Sequence, residues 1–197
     1  NPNELWQMDF KGEIKTLNGR KCYTLTVCDD ASRYNIILAP CENMKTETVQ
    51  ECLKDAFQIY GLPNCILCDN GSPWASNWAT RYTRLELWLF LHGVNVIHGR
   101  PYHPQTQGKE ERFHRTLNVE LIRRVDGFRN IAHCEKEFKK WRRVYNWERP
   151  HESLNMKTPS DLYVYSTRVF PDQTPNPESW YLKEDQIRKV QKNGVVE

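Results

Sequence analysis

Residues 46–69 read TETVQECLKDAFQIYGLPNCILCD, and this run decides the fold. Val49, Leu53, Ala56, Phe57 and Tyr60 recur at intervals of three and four, which predicts a helix beginning at Thr46 with one apolar stripe. Gly61-Leu62-Pro63 stops it. Cys65 to Cys68 then reads as a short buried strand that ends at Asp69. In an open α/β sheet, the carboxyl end of a strand is where ligands usually sit.

Upstream of this run the chain reads as strands. Leu5 to Phe10 is the first, Asn18-Gly19 a hairpin-type turn, Cys22 to Cys28 the second, and Tyr34 to Leu38 the third. Downstream, Asn70 to Pro73 is a loop, Thr83 to His92 a helix ended by Gly93, and Val94 to Ile97 a strand. Pro101 to Gly108 is a polar loop. Lys109 opens a longer helix with Phe113, Leu117, Leu121 and Ile122 on one side. A further helix spans Ala132 to Asn146, and Pro159 starts a last short turn. Early hairpins followed by strand–helix alternation predict an α/β protein, with a five-stranded mixed sheet flanked by helices. After Tyr165, Pro171, Pro175 and Pro177 suggest an extended linker, and Ile187 to Val196 one further strand. The expected division is a core at 1–125, a helical extension at 126–165, and a linker with the start of a small β domain at 166–197.

At 197 residues the chain can bury a full core without disulfide staples. Seven scattered cysteines, an odd number, read as reduced thiols of a cytosolic protein. Cys65 and Cys68 form a CxxC, but a strand points them to opposite faces and no second pair completes a zinc set. No apolar run approaches a membrane span, and no signal peptide is visible at the start. The absence of an initial Met reads as a piece excised from a longer protein. The net charge of +3 says little, but its distribution says more. Lys109 to Arg149 is rich in Arg and Lys interleaved with Phe113, Phe128, Phe138, Trp141 and Trp147. That composition suits a polyphosphate partner and equally an ordinary solvated helix face.

Three acids stand in distinctive surroundings: Asp9 in LWQMDF, Asp69 in LCDNGS, and Glu111 in QGKEER. Any one alone is explained by an edge position, a turn or a helix start. If the fold gathers them, they form a hard-oxygen site for divalent cations, the chemistry of in-line displacement at phosphate. Glu110 competes for the third place. Glu111, Arg115 and Asn118 share one helix face, while Glu110 shares a side with His114, Leu117 and Leu121, nearer the apolar stripe.

WQMD at 6–9, CDNGS at 68–72 and PYHPQTQGKEE at 101–111 resemble the three blocks of the retroviral-integrase superfamily. The third block carries most of the resemblance, and its glutamate three residues after the glycine falls on Glu111. ERFHRTL at 111–117 and YNxERPHESL at 145–154 are similar to bacterial insertion-sequence transposases with an integrase-type core. The resemblance covers roughly residues 4 to 165.

It implies an RNase H-like fold and two Mg²⁺ ions, replaceable by Mn²⁺, with Asp9 bridging both, Asp69 holding one and Glu111 the other. It also implies nicking of DNA at transposon ends and transfer of the freed strand into target DNA, by a homodimer or higher oligomer in the bacterial cytoplasm, at the nucleoid. The Asp69–Glu111 separation is several residues longer than in retroviral integrases, with the excess around 75–84. Tyr102, His103, Gln105, Gln107 and Lys109 are expected at the DNA in or beside a loop before Glu111, followed by Arg112, Arg115 and Asn118 on the helix. His114 is read as a helix-face DNA contact rather than a general base. Asp30-Ala31-Ser32-Arg33 resembles a family block and reads equally as a turn with an Asp cap. Asn146, Arg149, Pro150 and His151 read as helix termination and packing. The rival readings are an RNase H-type nuclease and a catalytically silent DNA-binding module.

Overall fold

A computed structural model describes residues 1–69, 82–99 and 108–173. The chain forms β1 (Leu5–Lys15), β2 (Lys21–Asp29), β3 (Asn35–Cys41), α1 (Thr46–Tyr60), β4 (Cys65–Cys68), α2 (Arg84–Leu91), β5 (Asn95–His98), α3 (Gly108–Leu117), α4 (Ile131–Trp147) and a short α5 (Pro159–Leu162). α3 runs directly into a π-helical turn, Asn118–Ile122. The expected loop at 70–73, the lengthened stretch at 75–81, residues 100–107 and the strand at 187–196 lie outside the described residues.

The sheet order is β3-β2-β1-β4-β5. β1, β2 and β3 pair antiparallel as a meander, and β4 and β5 run parallel to β1. This is the expected five-stranded mixed sheet. α1 supplies the crossover, and its stripe of Val49, Leu53, Ala56, Phe57 and Tyr60 is buried as its period requires.

Alternation along β1 divides its side chains between two cores. Trp6 and Met8 face α1 and α2 in a cluster with Ile66, Cys68, Phe57, Leu85 and Leu89. The opposite face of the sheet is covered by α3 and α4, whose Phe113, Leu117, Phe138 and Trp141, with Phe128 from the connection between them, form a second cluster with Cys22, Cys28 and Leu38. Most aromatics of the basic stretch are therefore core, each burial contributing about 1.5–3 kcal/mol. Trp147 remains half exposed. Asn146 fixes α4 on the sheet: its Oδ1 accepts from the Asn35 N–H and its Nδ2 donates to the Asn35 carbonyl. The packing reading of the Asn146 block agrees with this geometry. All seven cysteines are free thiols.

The first residues after Tyr165, where the linker is expected to begin, are anchored to the core. The Ser166 N–H donates to the Tyr60 carbonyl and the Leu62 N–H to the Arg168 carbonyl. The Arg168 guanidinium reaches the carbonyls of Pro63 and Gly93, and Phe170 stacks on His92. Gly61 lets this strap approach, since a Cβ there would lie 2.8 Å from the Ser166 carbonyl oxygen. Composition gave no sign of these carbonyl contacts near the ends of α1 and α2.

Candidate active site

β1 and β4 pair in parallel register, Leu5 with Cys65 and Gln7 with Leu67. Carrying that register two residues further sets Asp9 beside Asp69, and the alternation of β1 turns Asp9 to the α3 side. A small cavity of about 20 Å³ opens there, lined by Gln7, Asp9, Leu67, Asp69 and Glu110 among others. That is room for one water-sized group. The Asp9 carboxyl is pushed up to about 6, first by burial and then by the charge of Asp69, against one N–H donated from Phe10 at 2.7 Å. Two carboxylates thus crowd one place, the situation a bound cation relieves.

The third acid at this cavity is Glu110. It is buried on the α3 face with Phe113 and Leu117, as its helix position foretold. Thr26 Oγ1 lies 3.3 Å from its Oε2, and Oε1 is buried with no hydrogen-bond partner. Burial, and then the charge of Asp9, raises its carboxyl well above the usual range, which keeps it neutral. Glu111 lies on the exposed side of the same turn. Among the described residues no group of three His, Cys, Asp or Glu side chains is placed to hold a metal ion.

His114 is not the surface contact expected of it. The ring is turned inward, with Nε2 at 2.8 Å from Thr26 Oγ1 and Nδ1 at 3.8 Å from Asp9. Burial, with Lys11 nearby, pushes it down to about 4, so the imidazole is neutral at pH 7.

Two groups of residues support the acids, in arrangements that the sequence did not reveal. His98, at the end of β5, has Nδ1 3.1 Å from the Asp69 carbonyl and Nε2 2.8 Å from Glu86 Oε1. Burial opposes its charge, but the bonds to Glu86 and to the Asp69 carbonyl outweigh it and raise its pKa. Both ring nitrogens can then donate. Glu86 also closes a capping box with Thr83 at the start of α2, a Thr-x-x-Glu signature legible in sequence. No comparable signal marked His98.

The second group centres on Asp30. Gln7 Nε2 donates to it at 2.6 Å and Lys109 Nζ at 2.7 Å, while the Arg33 guanidinium donates to its backbone carbonyl. The expected Asp cap of this turn belongs instead to Asp29, whose carboxylate accepts from Ser32 N–H and hydroxyl. Asp30 is thereby free to tie the first turn of α3 to β1.

Arg112 and Arg115 are exposed on α3, and Asn118 is half-buried at the start of the π turn. Tyr102, His103, Gln105 and Gln107 lie outside the described residues. Among the described residues no helix is long and apolar enough to cross a membrane.

A mixed five-stranded sheet in this order, with acids on β1, at the end of β4 and on the helix after β5, defines an RNase H-like fold of the integrase type. Solved structures share it. A simian T-cell lymphotropic virus intasome chain matches at TM-score 0.66 and 19% identity over 89% of this chain and 59% of its own. The HTLV-2 integrase catalytic core, solved in complex with magnesium, matches at TM-score 0.59 and 15% identity over 83% of this chain and 97% of its own.

Two family models, both described as integrase core domain, match residues 1–104 and 92–159. The chain belongs to the integrase core domain family. A 31.7 kDa protein of insertion element IS407 from Burkholderia multivorans is 28% identical over 82% of this chain and 55% of its own length. A 39.2 kDa protein of IS476 from Xanthomonas euvesicatoria is also 28% identical, over 88% of this chain and 48% of its own. The chain thus spans about half the length of these relatives.

Proposed function

We propose that this chain is the catalytic core of an insertion-sequence transposase. Asp9, Asp69 and Glu111 would hold two Mg²⁺ ions, or Mn²⁺ in their place, for cleavage at transposon ends and strand transfer into target DNA. The observation that supports this reading is the parallel β1–β4 register, which runs toward Asp9 and Asp69 at one edge of an integrase-type fold. Such ions polarise a phosphate, activate the attacking oxygen and stabilise the leaving one.

The donor set fits hard cations. Asp9 and Asp69 repel each other without one, and their oxygens are the ligands magnesium prefers. Asp9 must shed its proton to serve. The Glu86–His98 pair holds the Asp69 backbone, and so the direction of its side chain. Glu110, buried and neutral, is a poor ligand for a cation. Glu111, one residue on, is solvent-exposed, and its place in the 101–111 motif favours it. Arg112, Arg115 and Asn118 on the helix, with Lys109 and with Tyr102, His103, Gln105 and Gln107 before it, would meet DNA phosphates and contribute salt-dependent affinity. Two element ends need two active sites, so a homodimer or larger assembly is part of the proposal, as is action at the bacterial nucleoid.

The test uses the full-length protein with Mg²⁺, duplexes bearing the element ends, and an RNA–DNA hybrid as competitor substrate. Nicked and joined DNA products are expected, with the hybrid uncut. Cleavage of the hybrid alone would overturn the transposase reading in favour of a ribonuclease.

A further inference from the structure

An open cleft of about 1250 Å³ lies between α3 and the turn from Arg149 to Met156. Lys109, Arg112 and Arg115 line one side, and Arg33 and Arg149 stand within it. The two acids in its lining are Glu120 and Glu152, and Glu120 is engaged by Arg149 Nε at 3.0 Å. Lys109 and Arg33 pair with Asp30, whereas Arg112 and Arg115 make no ion pair among the described residues and bring their charge to the cleft.

The far wall is built rather than loose. His151 packs edge-on against Tyr145 at 4.8 Å, its N–H donates to the Lys157 carbonyl, and the Met156 N–H donates back to the His151 carbonyl. Arg149 lies over the Tyr145 ring at 6.0 Å. The packing that ends α4 therefore also sets Arg149, held by Glu120, across the cleft from α3. A cleft of this volume, with five Lys and Arg side chains against two acids in its lining, fits an extended polyanion better than a single phosphate group.

We propose that this cleft is a track for double-stranded DNA, in which the phosphate backbone lying on α3 is gripped from its other side by the Arg149–Met156 turn. The proposal rests on the reading of α3 as a DNA surface and extends it to a wall that no motif in the sequence marked for DNA. The contacts are to phosphates, so they hold any sequence and fix where the duplex lies.

Ser153 tests this without breaking a contact. It is exposed in the one-turn helix Glu152–Leu154, lines the cleft, and makes no side-chain hydrogen bond among the described residues. The measurement is the anisotropy of a labelled mixed-sequence DNA duplex, titrated with the chain across a series of NaCl concentrations, with circular dichroism to check folding. Ser153→Glu is expected to weaken binding several-fold. Ser153→Lys is expected to tighten it and to steepen the log-affinity against log-salt slope by about one. Arg115→Glu, on the opposite wall, should weaken binding as well. If Arg115→Glu weakens binding but both Ser153 variants bind like the parent, or shift in the same direction, the track is wrong and the α3 surface stands. If Arg115→Glu has no effect either, the α3 surface fails and the track with it.

Discussion

Asp9 and Asp69 reach the site on strands, Glu110 and Glu111 on a helix, and the two routes give different certainty about direction. On neighbouring parallel strands, register alone sets two carboxylates side by side. The sixty-residue offset that pairs Leu5 with Cys65 and Gln7 with Leu67 is also the offset between Asp9 and Asp69. On a helix, one step turns a side chain by about 100°, so adjacent glutamates meet opposite environments. Glu110 is buried against Thr26 with an unpartnered oxygen, and Glu111 is in solvent. The ladder that leads to the first pair is fixed by backbone hydrogen bonds, whereas the helix pair depends on how α3 is seated.

The largest expected effect separates the two glutamates. Glu111→Gln should lower Mg²⁺-dependent nicking and joining by at least about a hundredfold while leaving DNA binding near the parent level. Glu110→Gln replaces a neutral carboxyl with a neutral amide and should keep most activity. The reverse result in the same product assay would move the third ligand to Glu110.

The strand pair makes a stability prediction. The Asp9 carboxyl stands at about 6 against an ordinary value of 3.8. The folded state therefore holds this proton longer than the unfolded state does. The associated stability is intact below the ordinary value and is lost as pH rises through the folded one. In EDTA at pH 7, Asp9→Asn should be more stable than the parent by about 1–2 kcal/mol, a figure discounted for the partial exposure of the carboxyl. Urea unfolding at a series of pH values checks it. The gain should vanish near pH 4, and a gain that persists there would refute its origin in the buried, crowded charge of Asp9.

Smaller effects probe the supports of each half. Glu86→Ala removes the capping box and the partner of His98, and should destabilise the fold by about 1 kcal/mol. It should also weaken Mg²⁺ binding measured by calorimetry, since the Asp69 backbone loses its brace. Unchanged Mg²⁺ affinity would make the Glu86–His98 pair purely structural. Asp30→Asn loosens Lys109 at the start of α3, and its partly exposed pair predicts a loss of about 0.5 kcal/mol or less. Its catalytic effect should exceed that and appear in kcat more than in KM, because the helix half is the one whose seating is adjustable. Equal losses in both would argue against a positioning role.

Much of the sheet was legible because its signals are local. The stripe on α1, the stop at Gly61-Leu62-Pro63 and the apolar Cys65–Cys68 strand each depend on neighbouring residues. The supports of the site were not legible, because His98, Asp30 and Thr26 act through partners tens of residues away. The aromatics among the basic residues show the same limit. Phe113, Phe128, Phe138 and Trp141 belong to the core under the sheet, and composition cannot separate a core ring from a stacking one.

By itself the sequence determined the order of strands and helices, the three motifs that carry the acids, and the helix faces on which Glu110 and Glu111 lie, since each follows from periodicity or a contiguous block. Only the tertiary structure decided that Glu110 faces the carboxylate cavity, that His114 turns inward, that His98 braces Asp69, and that the Arg149–Met156 turn stands across a cleft from α3. The physical reason is that burial and electrostatic coupling are set by packing between distant segments, and a carboxyl cannot be read as charged or neutral until the groups around it are known.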